Sequence, residues 1–464
     1  MPITATPLDD RAIRDFAATV RGPVLRPDDD GYDEARTVYN AMIDRRPAVI
    51  VRPTGAADVI TAVNFAREHD LTIAVKGGGH NVAGLAVCED GLMIDLGLMS
   101  SVRVDPDART ARVGPGARLG DLDHETAPFG LVVPAGVVSI TGVAGLTLGG
   151  GFGYLCRKHG MTLDNLRSVD LVTARGELVH ASEQEHPDLF WGIRGGSGNF
   201  GIVTSFEFEL HELSEVLAGL LVYPADQAHA VVREWWEFAS AAPDELSVWL
   251  NFSTAGPEPF IPREYHGERI LSVIPVYSGD VDDGRDVIEP LLELGDPIAD
   301  TVEVRRFVDW QQAFDESYPA GERYFWKSHN FTDPSAEALD RITDYAVSPP
   351  TPETRVSVTH LGGMVNRVPP DATAYPHRNA DFLVNITTRW GDPALDEECI
   401  AWTREYFEAL APYATGGTYV NFTTEREGEQ SMAYLDNYDR LVALKNEWDP
   451  DNLFQMNQNV RPTV

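Results

Sequence analysis

Lysine is nearly missing from this chain of 464 residues: only Lys76, Lys158, Lys327 and Lys445 occur, against 33 arginines. Cations of both kinds are scarce, with Lys+Arg 37 against Asp+Glu 72 and a formal net charge of −35. A surface that acidic repels phosphate backbones and anionic lipid, which argues against nucleic acid and membrane as partners. Lysine poverty with heavy acidity reads as a halophile's hydrated surface; an acidic protein from an arginine-rich, high-GC organism would look the same. Cysteine is equally sparse. Cys88, Cys156 and Cys399 are odd in number and stand in no Cys-x-x-Cys or Cys/His spacing, so buried, reduced thiols are expected and no metal site is implied. No apolar stretch reaches bilayer-spanning length, and Met1 to Val20 contains no signal-type apolar core, so the expected location is the cytoplasm.

What is present is globular. Apolar residues make up 43% and charged residues 23%, an ordinary balance for a compact fold of helices and strands. The length exceeds what one hydrophobic core sustains, so two domains are expected. The first half alternates elements. A helical pattern covers Asp33 to Ile43, a proline-bounded strand Pro47 to Pro53, a helix Ala56 to His69, and a strand Thr72 to Val75 that runs into Gly77-Gly78-Gly79-His80. Strand patterns recur at Gly91 to Leu96, Thr110 to Val113, Leu166 to Thr173 and Gly201 to Leu210, with a helix at Leu119 to Thr126. After about Glu212 the glycine clusters stop. An amphipathic helix, Ala225 to Ala241, then alternates with strand patterns at Leu246 to Phe252, Arg269 to Tyr277, Arg355 to His360 and Phe382 to Arg389, as in an α+β domain with an antiparallel sheet. Near Gly416 the glycine and asparagine texture returns, which folds the C-terminus back onto the first domain.

Three glycine segments lie in the first region: Lys76-Gly77-Gly78-Gly79-His80-Asn81, Gly142 to Gly153 (GVAGLTLGGGFG) and Arg194 to Gly201 (RGGSGNFG). Glycine lets backbone approach a ligand closely and lets successive N–H groups converge on a phosphate or a ring edge. One such loop is usually a turn; three in one domain point to cofactor binding. A dinucleotide fingerprint is excluded, because no Gly-x-Gly-x-x-Gly follows a first strand, opens a helix and precedes an acidic residue about twenty positions on. The Gly-Lys-Ser/Thr of nucleotide triphosphatases is absent as well.

KGGGHNVAG after a strand, PAGVVSITGVAGLTLGGGFGYLCRKHGMTLDNL, FWGIRGGSGNFGIVTSFEF and the terminal DPDNLFQMNQNV, in that order from Tyr32 to Pro462, resemble the berberine-bridge-enzyme-like flavoproteins. These belong to the vanillyl-alcohol-oxidase and p-cresol-methylhydroxylase superfamily. The resemblance implies an α+β fold of two domains: an FAD-binding domain of the p-cresol methylhydroxylase type from residues 1–211 and 417–464, and a substrate domain, 212–416, with a helix-covered antiparallel sheet. It implies FAD bonded through the His80 ring to the flavin's benzenoid methyl group, with Gly77, Gly78 and Gly79 at the pyrophosphate and Lys76 and Asn81 flanking them. The same resemblance puts Pro134, Ala135, Gly136, Val138, Thr141, Gly142, Gly145, Gly149, Gly150, Gly153, Asn199, Gly201, Ile202, Asn421, Asn457 and Asn459 around the cofactor. Members with a second tether carry a cysteine where this chain has Val138, so a single bond is expected. Thr141 stands where relatives control oxygen access, and its hydroxyl leaves oxidase and dehydrogenase both open.

Flavin chemistry needs a substrate carbon held against the ring and a group that takes the proton. Lys327, in RYFWKS, resembles a flavin-facing family lysine, although a lysine capping a sheet edge is the plain structural alternative. His360 has the near-neutral intrinsic pKa of a base. Asn385 falls where some relatives place a carboxylate or glutamine, and an amide takes no proton. Tyr419 and Asn421 match the family's Y-x-N segment, with Phe422 in place of a tyrosine or histidine that some relatives use. Lys327, His360, Asn385 and Tyr419 are therefore the expected catalytic residues. The reading is an FAD-dependent oxidoreductase acting on a small alcohol, sugar, hydroxylated ring or amine and passing electrons to oxygen or another acceptor. Oxidative tailoring or cyclisation in secondary metabolism, and a flavin carrier without turnover, are the alternatives. The substrate itself is not legible, because the register of the sheet that forms the pocket is not fixed by pattern alone.

Overall fold

The computed structural model describes residues 8–425 and 431–464; the first seven residues of the Met1 to Val20 stretch lie outside that description. Short runs of apolar, mostly β-branched residues build the first sheet. Strands Val49–Val51, Leu92–Asp95 and Ile73–Lys76 pair in parallel, and Val24–Leu25 adds an antiparallel edge. Helix Ala56–Glu68 lies between two of these strands in the chain and buries Val59, Ala62, Val63 and Ala66, the i, i+3, i+4, i+7 stripe of a core-facing helix. A second, antiparallel sheet runs in the order Val102–Asp105, Thr110–Val113, Ile202–Glu209, Leu166–Val172, Leu178–Ser182.

Between the last of these strands and the C-terminal segment lies a nine-stranded sheet. Its main path is Ala299–Asp300, Leu221–Pro224, Arg269–Tyr277, Leu246–Thr254, Arg355–His360, Phe382–Trp390 and Arg323–Phe331, antiparallel throughout. Glu215–Ala218 and Glu303–Arg306 pair beside it. One face is packed under helices Ala228–Ser240, Ala336–Ala346 and Asp396–Leu410, in a core containing Trp235, Ile342, Tyr406, Val358, Val384 and Ile386. The C-terminal helix, Tyr438–Trp448, returns to the first region: Leu441 and Leu444 join the core of Trp191, Phe200 and Phe206.

One expected element is much shorter in the structure. The helical pattern from Asp33 to Ile43 forms a helix only over Tyr32–Arg36, and Thr37 is already extended. Tertiary hydrogen bonds win over the local pattern there. The Tyr39 N–H donates to the Gly79 carbonyl at 2.9 Å, and Asn40 Nδ2 donates to the carbonyls of Val82 (2.8 Å) and Tyr324 (2.9 Å). This segment clamps the glycine–histidine loop to the nine-stranded sheet.

The four lysines are internal. Lys445 is fully buried against Asp449 (2.7 Å) and donates to the carbonyls of Asn199 and Phe454. Asp449 in turn accepts from the N–H groups of Leu453 and Phe454, which explains the DPDNLF run: it turns the tail inward.

Candidate active site

A long cavity separates the first region from the uncovered face of the nine-stranded sheet. Its floor carries Gly77 to Asn81, Gly136 to Val138, Thr141, Gly142 and Gly145; Ser197, Gly198, Gly201 and Ile202 continue it, and the tail residues Phe454, Met456, Asn457 and Gln458 line one end. Trp249, Asn251, Ser357, Thr359, Asn385 and Trp326 form the sheet wall, with Tyr318, Tyr419, Asn421 and Phe422 between.

The floor is made by backbone contact. A Cβ on Gly78 would stand 2.5 Å from the Gly142 backbone, so the two loops touch only because both positions are glycine. At Gly145, by contrast, a Cβ would meet nothing within 4 Å and would project into open cavity. That is a surface kept bare for a ligand.

His80 closes the loop. Its ring stacks on Tyr39 at 4.0 Å and 20°, and Tyr39 stacks in turn on Tyr324 at 4.7 Å and 19°. Burial holds the imidazole pKa down to about 4, so the ring is neutral at physiological pH, and its buried Nε2 has no hydrogen-bond partner. A neutral imidazole with a free ring nitrogen is the form that acts as a nucleophile. The Tyr419 hydroxyl accepts from the Gly151 N–H at 2.8 Å and from Asn421 Nδ2 at 3.0 Å. Burial pushes its pKa up to about 12 while these two donors oppose the rise.

The sheet wall has its own order. Ser272, Asn251, Ser357, Asn385 and Ser328 are directly opposite one another on successive strands, so they form one polar row across the exposed face. Asn251 Oδ1, Asn385 Oδ1 and Ser328 Oγ are buried without a partner. Unpaired buried acceptors of this kind are costly, and several in a row on a cavity wall suit a ligand with polar groups.

Two expected catalytic residues are on the other side of the sheet. Side chains alternate along a strand, so Trp326 faces the cavity and Lys327 the helices. The Lys327 ammonium lies 4.4 Å from the Phe407 ring centroid and 3.3 Å from Glu425. His360 is likewise reversed: its Nε2 meets Arg157 Nη1 at 2.8 Å, Nδ1 accepts from the Val248 N–H, and the ring stacks on Phe382. Burial and Arg157 push its pKa well below the usual histidine value. Asn385, Tyr419 and Asn421 do face the cavity.

Several expected cofactor residues stand behind the wall instead of on it. Lys76 turns away to the carbonyls of Ala35 and Thr37 and to Asp95, 3.6 Å away, because its strand sends alternate side chains to opposite faces. Pro134 and Ala135 are buried behind the floor, where a Cβ on Gly153 would strike the Ala135 carbonyl at 1.9 Å. Gly149 abuts Asn421 and Gly150 abuts Met161 and Tyr419. Asn199 is a strut: Nδ2 donates to the Gly196 and Gln458 carbonyls, and Oδ1 accepts from the Val460 N–H. Asn459 is buried off the wall, whereas Val138 and Asn457 lie on it. Sequence reasoning missed Asn251, Ser357 and Thr359. The signal was there in Leu246–Thr254, whose Leu, Val, Leu and Phe alternate with Ser, Trp, Asn and Ser.

Comparison with known proteins agrees with this geometry. The FAD binding domain family model matches residues 47–182, and the berberine and berberine-like model matches residues 418–461. An FAD-linked oxidoreductase of Dictyostelium discoideum is 32% identical over 97% of this chain and 97% of its own length. This chain belongs to the berberine-bridge-enzyme-like FAD-linked oxidoreductases. Another member, the (R)-6-hydroxynicotine oxidase of Paenarthrobacter nicotinovorans, is 31% identical over 96% of this chain and 97% of its own. The xylooligosaccharide oxidase of Myceliophthora thermophila, solved with xylobiose, is 26% identical and superposes with a TM-score of 0.85 over 98% of this chain and all of that one. As a berberine-bridge-enzyme-like oxidoreductase, the protein is an enzyme with an FAD-binding domain. The cavity fits such a cofactor in two respects: the bare glycine floor gives a flat edge-on surface, and His80 Nε2 is a buried nitrogen with no other partner.

Proposed function

We propose that this oxidoreductase carries FAD on a single covalent bond to His80 and oxidises a small polar molecule held against the nine-stranded sheet. The observation that carries this reading is the state of His80, a buried, neutral imidazole that ends the glycine loop, clamped by Tyr39, with Nε2 unpartnered. Val138 stands on the cavity floor where a second tether would need a thiol, and Cys88, Cys156 and Cys399 are buried away from the lining.

When bound, FAD would supply the acceptor for two electrons as a hydride, which oxygen or another acceptor then takes on. The protein's part is to bind, orient and manage the proton. Asn251, Ser357, Thr359 and Asn385 offer hydrogen bonds to hydroxyl, amide or amine groups of a substrate. Tyr419 keeps its own proton, since burial pushes its pKa up to about 12 even with two donors pointing at its oxygen, so it suits donating a hydrogen bond to a substrate oxygen rather than acting as the base. The 6-hydroxynicotine and xylooligosaccharide oxidases span amine and sugar chemistry, and this cavity's neutral polar row suits either.

A denaturing gel tests the tether. The wild-type band should fluoresce as flavin, and His80→Ala should lose that fluorescence. Flavin released from the wild type by acid precipitation would refute it.

A further inference from the structure

The polar row ends in charge. Two residues further along the same two strands, on the same face as Ser357 and Asn385, stand Arg355 and Arg389. The guanidinium of Arg355 lies 6.0 Å from the ring centroid of Tyr318, which is part of the cavity wall. Arg389 Nη1 donates to the Ser317 carbonyl at 2.9 Å, on the same short segment.

What sets Arg355 apart is the lack of hydrogen-bond partners, whereas Arg389 is held by the Ser317 carbonyl and meets the Tyr324 side chain. The other deeply placed arginines hold carbonyls or a carboxylate, although the Arg378 Nε is also unpartnered. Arg157 donates to the carbonyls of Leu246, Leu361 and Ala242, Arg269 to those of Ala346, Thr354 and Phe252, and Arg378 holds Asp164 at 2.7 and 2.8 Å. Among the described residues Arg355 has no hydrogen bond and no ion pair, only the Tyr318 ring, and the buried Nε atoms of both Arg355 and Arg389 are unpartnered. Burial, with the like charge of Arg389 adding to it, holds the Arg355 pKa below the ordinary arginine value. Two neighbouring guanidinium groups with no carboxylate in direct ion pair, only the charge of Glu258 acting on Arg355 from further off, cost stability. A planar fork of N–H donors is the geometry that binds a carboxylate. Among the described residues, the cavity wall carries no aspartate or glutamate that would repel it.

We propose that Arg355 and Arg389 form an anion subsite at the Tyr318 end of the cavity, which takes the carboxylate of an organic acid while the reacting carbon lies along the polar row. This rests on the reading of the cavity as the redox site, and it narrows the substrate from any small polar molecule to one bearing a carboxylate. The net charge of −35 makes such a site necessary for an anionic substrate, since the protein's overall field repels it.

The test uses the flavin-loaded enzyme and three acid–amide pairs: benzoate with benzamide, phenylacetate with phenylacetamide, cinnamate with cinnamamide. Each is titrated and followed by the change in the visible flavin spectrum. At least one acid should bind tenfold or more tightly than its amide. Arg355→Gln should remove that preference while leaving amide binding and gel fluorescence unchanged, and Arg389→Gln should weaken acid binding to a smaller degree. Inorganic phosphate should compete with the acid in the wild type only. If no acid exceeds its amide, or if both variants keep the wild-type preference, the anion subsite is refuted. The wild-type comparison alone decides the matter should a variant fail to fold. Loss of gel fluorescence in the wild type would strike the tether, not this subsite.

Discussion

The two faces of the nine-stranded sheet come from the same strands and have opposite contents. On the helix side Val248, Leu250, Phe252, Val356, Val358, Val384 and Ile386 pack with Trp235, Phe331, Ile342 and Tyr406 into a dry core. On the cavity side the alternate residues are Asn251, Ser357, Asn385 and Ser328, several of them with atoms that no protein group satisfies. Burial is nearly complete on both faces, so burial does not distinguish them; the polarity of the side chains does. On the helix side His360 is held by Arg157 and Lys327 by Glu425, while on the cavity side Asn385 Oδ1 and the Arg355 Nε have no partner.

Neighbouring residues Asn385 and Ile386 test that contrast most strongly. Ile386→Ala should cost about 2–5 kcal/mol of stability, the usual price of deleting buried aliphatic carbons in a packed core. Asn385→Ala should cost about 1 kcal/mol or less, since the side chain makes one hydrogen bond, to Thr387. It should nevertheless weaken substrate binding. Denaturant unfolding of both variants checks this, and equal losses would erase the distinction between the faces.

Acid should attack the helix face. Burial holds His329, stacked on Phe407, down to about 4, and burial with Arg157 holds His360 well below the usual histidine value. Both rings are neutral when folded and titrate near 6.5 when unfolded. Their stabilising effect is complete above that pH and is lost as pH falls toward 4, by about 2 kcal/mol for His329 at pH 5. The melting temperature should fall between pH 7 and 5, and His329→Gln should flatten that fall. An unchanged slope in the variant would mean that His329 titrates normally.

Lys327→Met is a modest change and the sharpest on placement. It should lower stability by about 1–2 kcal/mol through the lost pairing with Glu425, which keeps Arg404 as a partner. The rate of flavin reduction should stay within twofold of wild type. A tenfold fall in that rate with unchanged stability would return Lys327 to the cavity side.

Much of this architecture was legible in the chain. Strands Arg269–Tyr277 and Arg355–His360 and helix Leu119–Thr126 match the expected spans residue for residue, because their patterns are clean and their ends carry turn signals. The glycine floor and His80 were readable from motif spacing. What failed was orientation. Lys327 and His360 sit one residue out of phase with the cavity, and a shift of one residue in a strand moves a side chain to the opposite face. Lys76 failed for the same reason at the end of Ile73–Lys76. The Tyr39 clamp was hidden because its partners, Gly79, His80 and Tyr324, are distant in sequence, and the local pattern there reads as helix. Arg355 drew no attention because an arginine opening a strand ordinarily faces solvent; only its missing partners mark it.

The central claim is that His80, and no other residue, carries the cofactor. Protease digestion of the purified wild-type protein followed by peptide mass mapping measures this directly. The account predicts one peptide, the one containing Gly77-Gly78-Gly79-His80, heavier by a single FAD and carrying all the flavin absorbance. Flavin on a cysteine peptide, flavin on two peptides, or an unmodified His80 peptide beside free FAD would contradict it.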